Sequence, residues 1–153
     1  MSGMIAHHEQ AVLIAGWSAE PERGASAPIR TLSERVVVAQ RDEIALAQQW
    51  LRARGESPMQ HAMAMPGMLT AEQLTALQRA RGMAYDRLFL TLMIQHHEGA
   101  LTMVAELLAQ QGAAQDGRVF RFAADVHADQ TTEISRMRRI LAAITTALTP
   151  GRQ

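Results

Sequence analysis

Two short runs of the chain concentrate the residue types that bind metal ions or move protons. Met4-Ile5-Ala6-His7-His8-Glu9-Gln10-Ala11 and Met93-Ile94-Gln95-His96-His97-Glu98-Gly99-Ala100 agree at six of eight positions, 89 residues apart. Agreement over that length reads as internal duplication. On a helix, Met93 lies one turn before both His96 and His97, and Met103 follows close to the same stripe. Met4 stands in the same relation to His7 and His8, with Ile14 where the second copy has Met103. Adjacent helical residues point about 100° apart. At most one His of each pair can therefore face a bundle axis squarely, while the other meets a neighbouring helix or solvent. Imidazole and thioether donors together suit Cu(I), Ag(I) or a Cu(II)/Cu(I) carrier better than Mg²⁺ or Ca²⁺, which demand oxygen ligands. Zinc also accepts His and carboxylate donors.

A third cluster lies between the copies. Met59, His61, Met63, Met65 and Met68 crowd around Pro66-Gly67, in a segment too broken to form a regular buried face. Such a loop can wrap a soft ion; its methionines can equally fill an irregular groove. The His-His pairs also have two readings, as ligands or as buried imidazoles bonded to a carboxylate or carbonyl. Gln40, Glu43, Ile44 and Leu51 recur as Gln130, Glu133, Ile134 and Leu141 at an offset of 90, so Glu43 and Glu133 hold equivalent positions. Each is placed to accept the second ring N–H of a histidine, as a carboxylate behind a ligating imidazole does. Asp42, Asp129 and His127 read as a solvated face.

Other chemistries fit poorly. No Glu is followed three residues later by His, which di-iron bundles require. His-Glu-x-x-His fails at both His-Glu steps, and no serine sits in a Gly-x-Ser-x-Gly elbow. The chain reads as a binding protein and not an enzyme.

The elements that must position these residues are helices. Ala, Leu, Gln, Glu, Arg and Met dominate between Gly/Pro clusters near residues 21–28, 55–58, 66–67, 112–117 and 150–151. The pattern predicts a first helix to about Ala19, a second from Ile29 to Arg54, a third ending near Gln111 and a fourth from Arg118 to Leu148. Thr70-x-x-Gln73 is a capping-box pattern, and Gly82 is a point where the helix after it kinks or splits. Two related hairpins, about 1–55 and 70–149, flank a Met/His-rich linker at 56–69 within one domain spanning 1–153. The simplest packing is an all-α four-helix bundle with a pseudo-two-fold. The second His pair follows about two helical turns from Tyr85 to Leu92. The first has far less helix before it, so the first helix reads as cut short, together with any export signal.

Composition narrows the partners. The 153 residues are 48% hydrophobic and 20% charged, with formal net charge zero, which leaves no electrostatic footprint for nucleic acid or an anionic membrane. All fifteen basic residues are Arg. Cysteine is absent, so disulfides, thiolate zinc sites and iron–sulfur clusters are excluded, and ten Met supply the only sulfur. No apolar run is long enough to span a bilayer.

The run from Pro66-Gly67-Met68-Leu69-Thr70 through Asp86, Phe89-Leu90, Met93-Ile94 and His96-His97-Glu98-Gly99-Ala100 resembles the family called domain of unknown function 305. Further matches lie at Met4 to Ala15 and Gln40 to Gly55, so the resemblance covers most of the chain. It implies a ferritin-like four-helix bundle built from two duplicated hairpins. It implies an exported protein, periplasmic or extracellular in full-length form, that binds a copper ion through Met and His. The candidate ligands it implies are Met4, His7, His8, His61, Met63, Met65, Met93, His96, His97 and Met103. The departures are the short first helix and Ile14 in place of a second Met103. The expected function is binding or buffering of Cu(I), with zinc as the other candidate metal, no nucleic acid, no membrane span, and room for a protein partner or homo-oligomer. The alternative is a metal-free helical interaction module whose His pairs are core hydrogen-bonders.

Overall fold

The computed structural model describes residues 1–58, 65–110, 112 and 115–147. Five α-helices carry them: α1 (Ser2–Gly16), α2 (Ala27–Arg52), α3 (Ala71–Arg79), α4 (Gly82–Ala109) and α5 (Gly117–Ala147). Two 3₁₀ turns, Trp17–Ala19 and Pro21–Arg23, link α1 to α2. No strand occurs among the described residues.

Local chemistry sets the helix ends. The Thr70 hydroxyl accepts from the Gln73 N–H while the Gln73 side chain accepts from the Thr70 N–H, which satisfies two donors at the start of α3. The extended Ala80 and Arg81 separate α3 from α4, and Gly82 opens α4 with a left-handed φ of +56°. The carboxylate of Asp86, buried in α4, accepts from the Ser26 N–H at 3.2 Å and so ties α4 to the residue preceding α2.

The buried side chains fall into two apolar clusters. One holds Ile14 of α1, Ile29, Leu32 and Val36 of α2, Tyr85, Phe89 and Met93 of α4, and Ile134 and Met137 of α5. The other holds Met4 and Ile5 of α1, Ala47 and Leu51 of α2, Ala100 and Val104 of α4, and Phe122, Ala123 and Val126 of α5. Chain direction follows from their order. Helices α1 and α5 run from the second cluster to the first, and α2 and α4 run the other way. Helix α1 packs on α2 and α4, and α5 packs on α4 and α2, so every pair of neighbours in this four-helix bundle is antiparallel. Helices α2 and α4 are parallel and diagonal, which is why the connection between them is the long one. Between the clusters, all four helices contribute one polar layer: His7 and His8, Gln40 and Glu43, His96 and His97, Gln130 and Glu133. The first seven of these are buried and Glu133 is nearly so. Exchanging the two hairpins maps this layer onto itself, with the exchange axis passing across the bundle between α1 and α4.

Candidate metal centre

The antiparallel crossing of α1 and α4 brings the equivalent histidines of the two copies face to face. The His7 and His96 rings have centroids 3.8 Å apart at an interplanar angle of 39°, and neither side chain is exposed. Their neighbours turn the other way, toward the partner helix of each hairpin. His97 Nε2 donates to Glu133 Oε2 at 2.6 Å. His8 Nε2 makes the matching approach to Glu43 Oε2 at 2.7 Å, with its N–H less well aligned. Both residues of each pair are thus buried, one on the axis and one against a carboxylate.

Burial decides the charge of the axial pair. Loss of water, followed by the proximity of His8, pushes the His7 pKa down to about 4 even though the Pro66 carbonyl favours its protonated form. Burial, then His7, His97 and His8, holds His96 well below the ordinary histidine value. Both rings are neutral at pH 7, the state in which imidazole is a ligand. Neither nitrogen of His96 makes a well-formed hydrogen bond, and Nδ1 of His7, His8 and His97 is likewise buried without a partner. Asp129, on the exposed side of α5, is shifted upward by partial burial and by Glu43, Glu133 and Asp125.

The segment leading into α3 closes over the layer. His7 Nε2 donates to the Pro66 carbonyl at 3.0 Å. That carbonyl is held in place by backbone packing. Gly67, at φ +78°, lies against α4 so closely that a Cβ on Gly99 would stand 2.1 Å from Pro66 O and 2.5 Å from Gly67 Cα. On the other side, Gln10 clamps Leu69 with two hydrogen bonds, accepting from its N–H at 2.8 Å and donating to its carbonyl at 3.2 Å. Gln10 and Gly99 occupy equivalent positions of the duplicated motif. The motif's other mismatch, Ala6 against Gln95, has the same cause, because Gln95 Oε1 accepts from Gln73 Nε2 of α3 at 3.2 Å. The two copies differ where residues 66–69 and α3 lie on the bundle.

The sequence-predicted ligands fall into three groups. His7, His8, His96 and His97 share the polar layer, with Met4 and Met93 buried one turn away on the same helices. Met65 and Met103 are half-buried and converge on Gly3, with Met65 Sδ 3.2 Å and Met103 Cε 3.6 Å from where a Cβ there would sit. His61 and Met63 lie outside the described residues. Asp42, Asp129 and His127 are exposed. Among the described residues, no three His, Asp or Glu side chains are grouped to hold a metal ion. What the layer offers is two neutral axial imidazoles with unpartnered nitrogens, a donor set that fits a soft, low-coordinate ion better than a closed tetrahedral zinc site. Gln40 and Gln130 are the layer's unexpected members, although the repeat that contains Glu43 and Glu133 also contains them. The Pro66 carbonyl has no side-chain signal to find.

The chain belongs to the family described as domain of unknown function DUF305, whose family model matches residues 1–141. Three solved structures share its fold. A DUF305 fragment from Deinococcus radiodurans is 27% identical, with 92% of this chain and 91% of that one covered and a TM-score of 0.81. A DUF305 protein from Streptomyces coelicolor, described as secreted, is 24% identical, with 94% and 89% covered and a TM-score of 0.83. CopM in its Cu(I)-bound form is 24% identical, with 92% and 91% covered and a TM-score of 0.73. No functionally curated protein matches the sequence significantly. No described helix is long and apolar enough to cross a membrane.

Proposed function

We propose that this protein binds or buffers copper as Cu(I) outside the cytoplasm, as a binding protein without turnover. The observation that carries the reading is His96. A structural histidine in a core is hydrogen-bonded, whereas His96 is fully buried, neutral and without a well-formed hydrogen bond, and it faces the equivalent His7. Burying an unsatisfied polar group costs about 1–3 kcal/mol. A ligand that used the nitrogen would offset that cost.

His7 and His96 would hold the ion, with Met4 and Met93 buried one turn away in the two apolar clusters, and Met65 and Met103 converging separately on Gly3. A soft ion bound here would be held in a dry, neutral pocket that favours the singly charged oxidation state. The shared fold with CopM, solved in Cu(I)-, Cu(II)- and Ag-bound forms, supports this choice of metal. The secreted relative supports the extracytoplasmic assignment. The metal-free alternative draws on the His8–Glu43 and His97–Glu133 contacts, which serve a structural histidine as well as a ligating one. For His96 it has only a weak approach to the His7 backbone to draw on.

Anaerobic titration of the apo-protein with Cu(I) against a competing chelator tests the proposal. Wild type is expected to compete and the His7→Ala/His96→Ala double variant to lose at least tenfold in affinity while keeping its helical circular dichroism. Equal affinity in both, or no competition by wild type, would refute it.

A further inference from the structure

We infer that the histidine layer holds His7, His8 and His97 with Nε2 turned to an oxygen acceptor, and so presents Nδ1, rather than Nε2, to the ion at His7. This rests on the metal-binding reading above and specifies the atoms by which it operates.

The case is firmest at His7. A carbonyl oxygen only accepts, so the 3.0 Å contact with Pro66 requires the proton on Nε2 and leaves the lone pair of the neutral ring on Nδ1. At His97 the 2.6 Å bond to Glu133 imposes the same choice, and at His8 the 2.7 Å approach to Glu43 needs a proton between the two atoms to be attractive. The complementary atoms agree, since Nδ1 of each of the three residues is buried with no partner. His96 has neither nitrogen in a well-formed bond, and His8 has only its poorly aligned approach to Glu43. Glu43, Glu133 and the Pro66 carbonyl therefore act as positioning groups. They fix ring orientation and tautomer, so that ligation displaces none of the three contacts. The Pro66 carbonyl is the one set by backbone, through the close approach of Gly67 to Gly99.

Two-bond ¹H–¹⁵N correlation spectra of the ¹⁵N-histidine-labelled apo-protein at pH 7.5, followed by titration with Ag⁺ as a diamagnetic probe, test this. The expected apo spectrum shows the Nε2–H tautomer at His7 and a protonated Nε2 at His97. Added Ag⁺ is then expected to shift the Nδ1 resonance of His7 and leave its Nε2 nearly in place. Glu133→Ala should release the tautomer of His97, whereas Glu133→Gln, which retains an acceptor oxygen, should restore the Nε2–H form. Gly99→Ala should release His7 alone. An Nδ1–H tautomer at His7 in the apo-protein, or an Ag⁺ shift confined to Nε2, would overturn the inference and leave the metal-binding reading standing. Ag⁺ that moves no imidazole nitrogen would overturn both.

Discussion

His7 and His96, equivalent residues of a duplicated motif, meet ring to ring at 3.8 Å on the axis that relates the two hairpins. The arrangement is costly for an apoprotein. Two imidazoles are removed from water, one is left without a good hydrogen bond, and nothing at the contact is gained that a pair of leucines would not supply better. This conflict between stability and composition generates the first prediction.

His96→Phe is expected to raise stability. It removes a buried group with no well-formed hydrogen bond and replaces it with an apolar ring of comparable shape, so the unfolding free energy should rise by about 1 kcal/mol, read from the urea midpoint. His97→Phe is the contrast, because it strands Glu133 and should lower stability by about 1–3 kcal/mol. Equal losses for the two would mean that His96 is an ordinary core hydrogen-bonder.

Acid should destabilise the protein over a defined window. The folded-state pKa of His7 is depressed to about 4 and that of His96 is held well below its ordinary value, so below about 6.5 the unfolded chain binds more protons than the native one. Stability is complete above pH 6.5 and falls as the pH is lowered toward 4, by on the order of 3 kcal/mol from His7 alone. Urea midpoints at pH 7.5, 5.5 and 4.5 check this. A midpoint unchanged between 6.5 and 4.5 would show that these rings are not held neutral.

Two glycine substitutions should act in opposite directions. Gly99→Ala places a Cβ 2.1 Å from the Pro66 carbonyl oxygen, a backbone atom of the turn on α4, so the turn must shift, at a cost of about 1–3 kcal/mol. Gly16→Ala, in α1 with nothing within 4 Å of the added Cβ, should stabilise by up to about 1 kcal/mol. Thermal unfolding of both variants measures the difference.

Tyr85→Phe is expected to be neutral or mildly stabilising. The Tyr85 side chain is fully buried in the apolar cluster beside Phe89, and its hydroxyl has no hydrogen-bond partner. Burial drives its pKa upward. A loss of more than about 1 kcal/mol in the variant would reveal a hydrogen bond at that oxygen.

Much of this structure is legible in the sequence because the chain states it twice. The offset that aligns the His-His motifs also aligns Glu43 with Glu133, and both carboxylates do stand against a histidine. Thr70 and Gln73 form their capping box, and the helix breaks at the extended Ala80 and Arg81, just before Gly82 opens α4 with its left-handed φ. The rotation of α1 against α4 is a different matter. Whether His7 or His8 takes the axis depends on interhelical packing, which a spacing of adjacent residues does not encode. The Pro66 carbonyl was equally hidden, since a backbone acceptor leaves no residue type to read. The mismatches within the repeat held the clue, as Gln10 and Gly99 are where residues 66–69 lie on the bundle.

The most direct measurement is anomalous diffraction from crystals loaded with Ag(I) or Cu(I). An anomalous peak is expected inside the polar layer, within bonding distance of His96 and of Nδ1 of His7. A peak only at the methionines around Met65 and Met103, or none inside the bundle, would contradict it and return the four histidines to architecture.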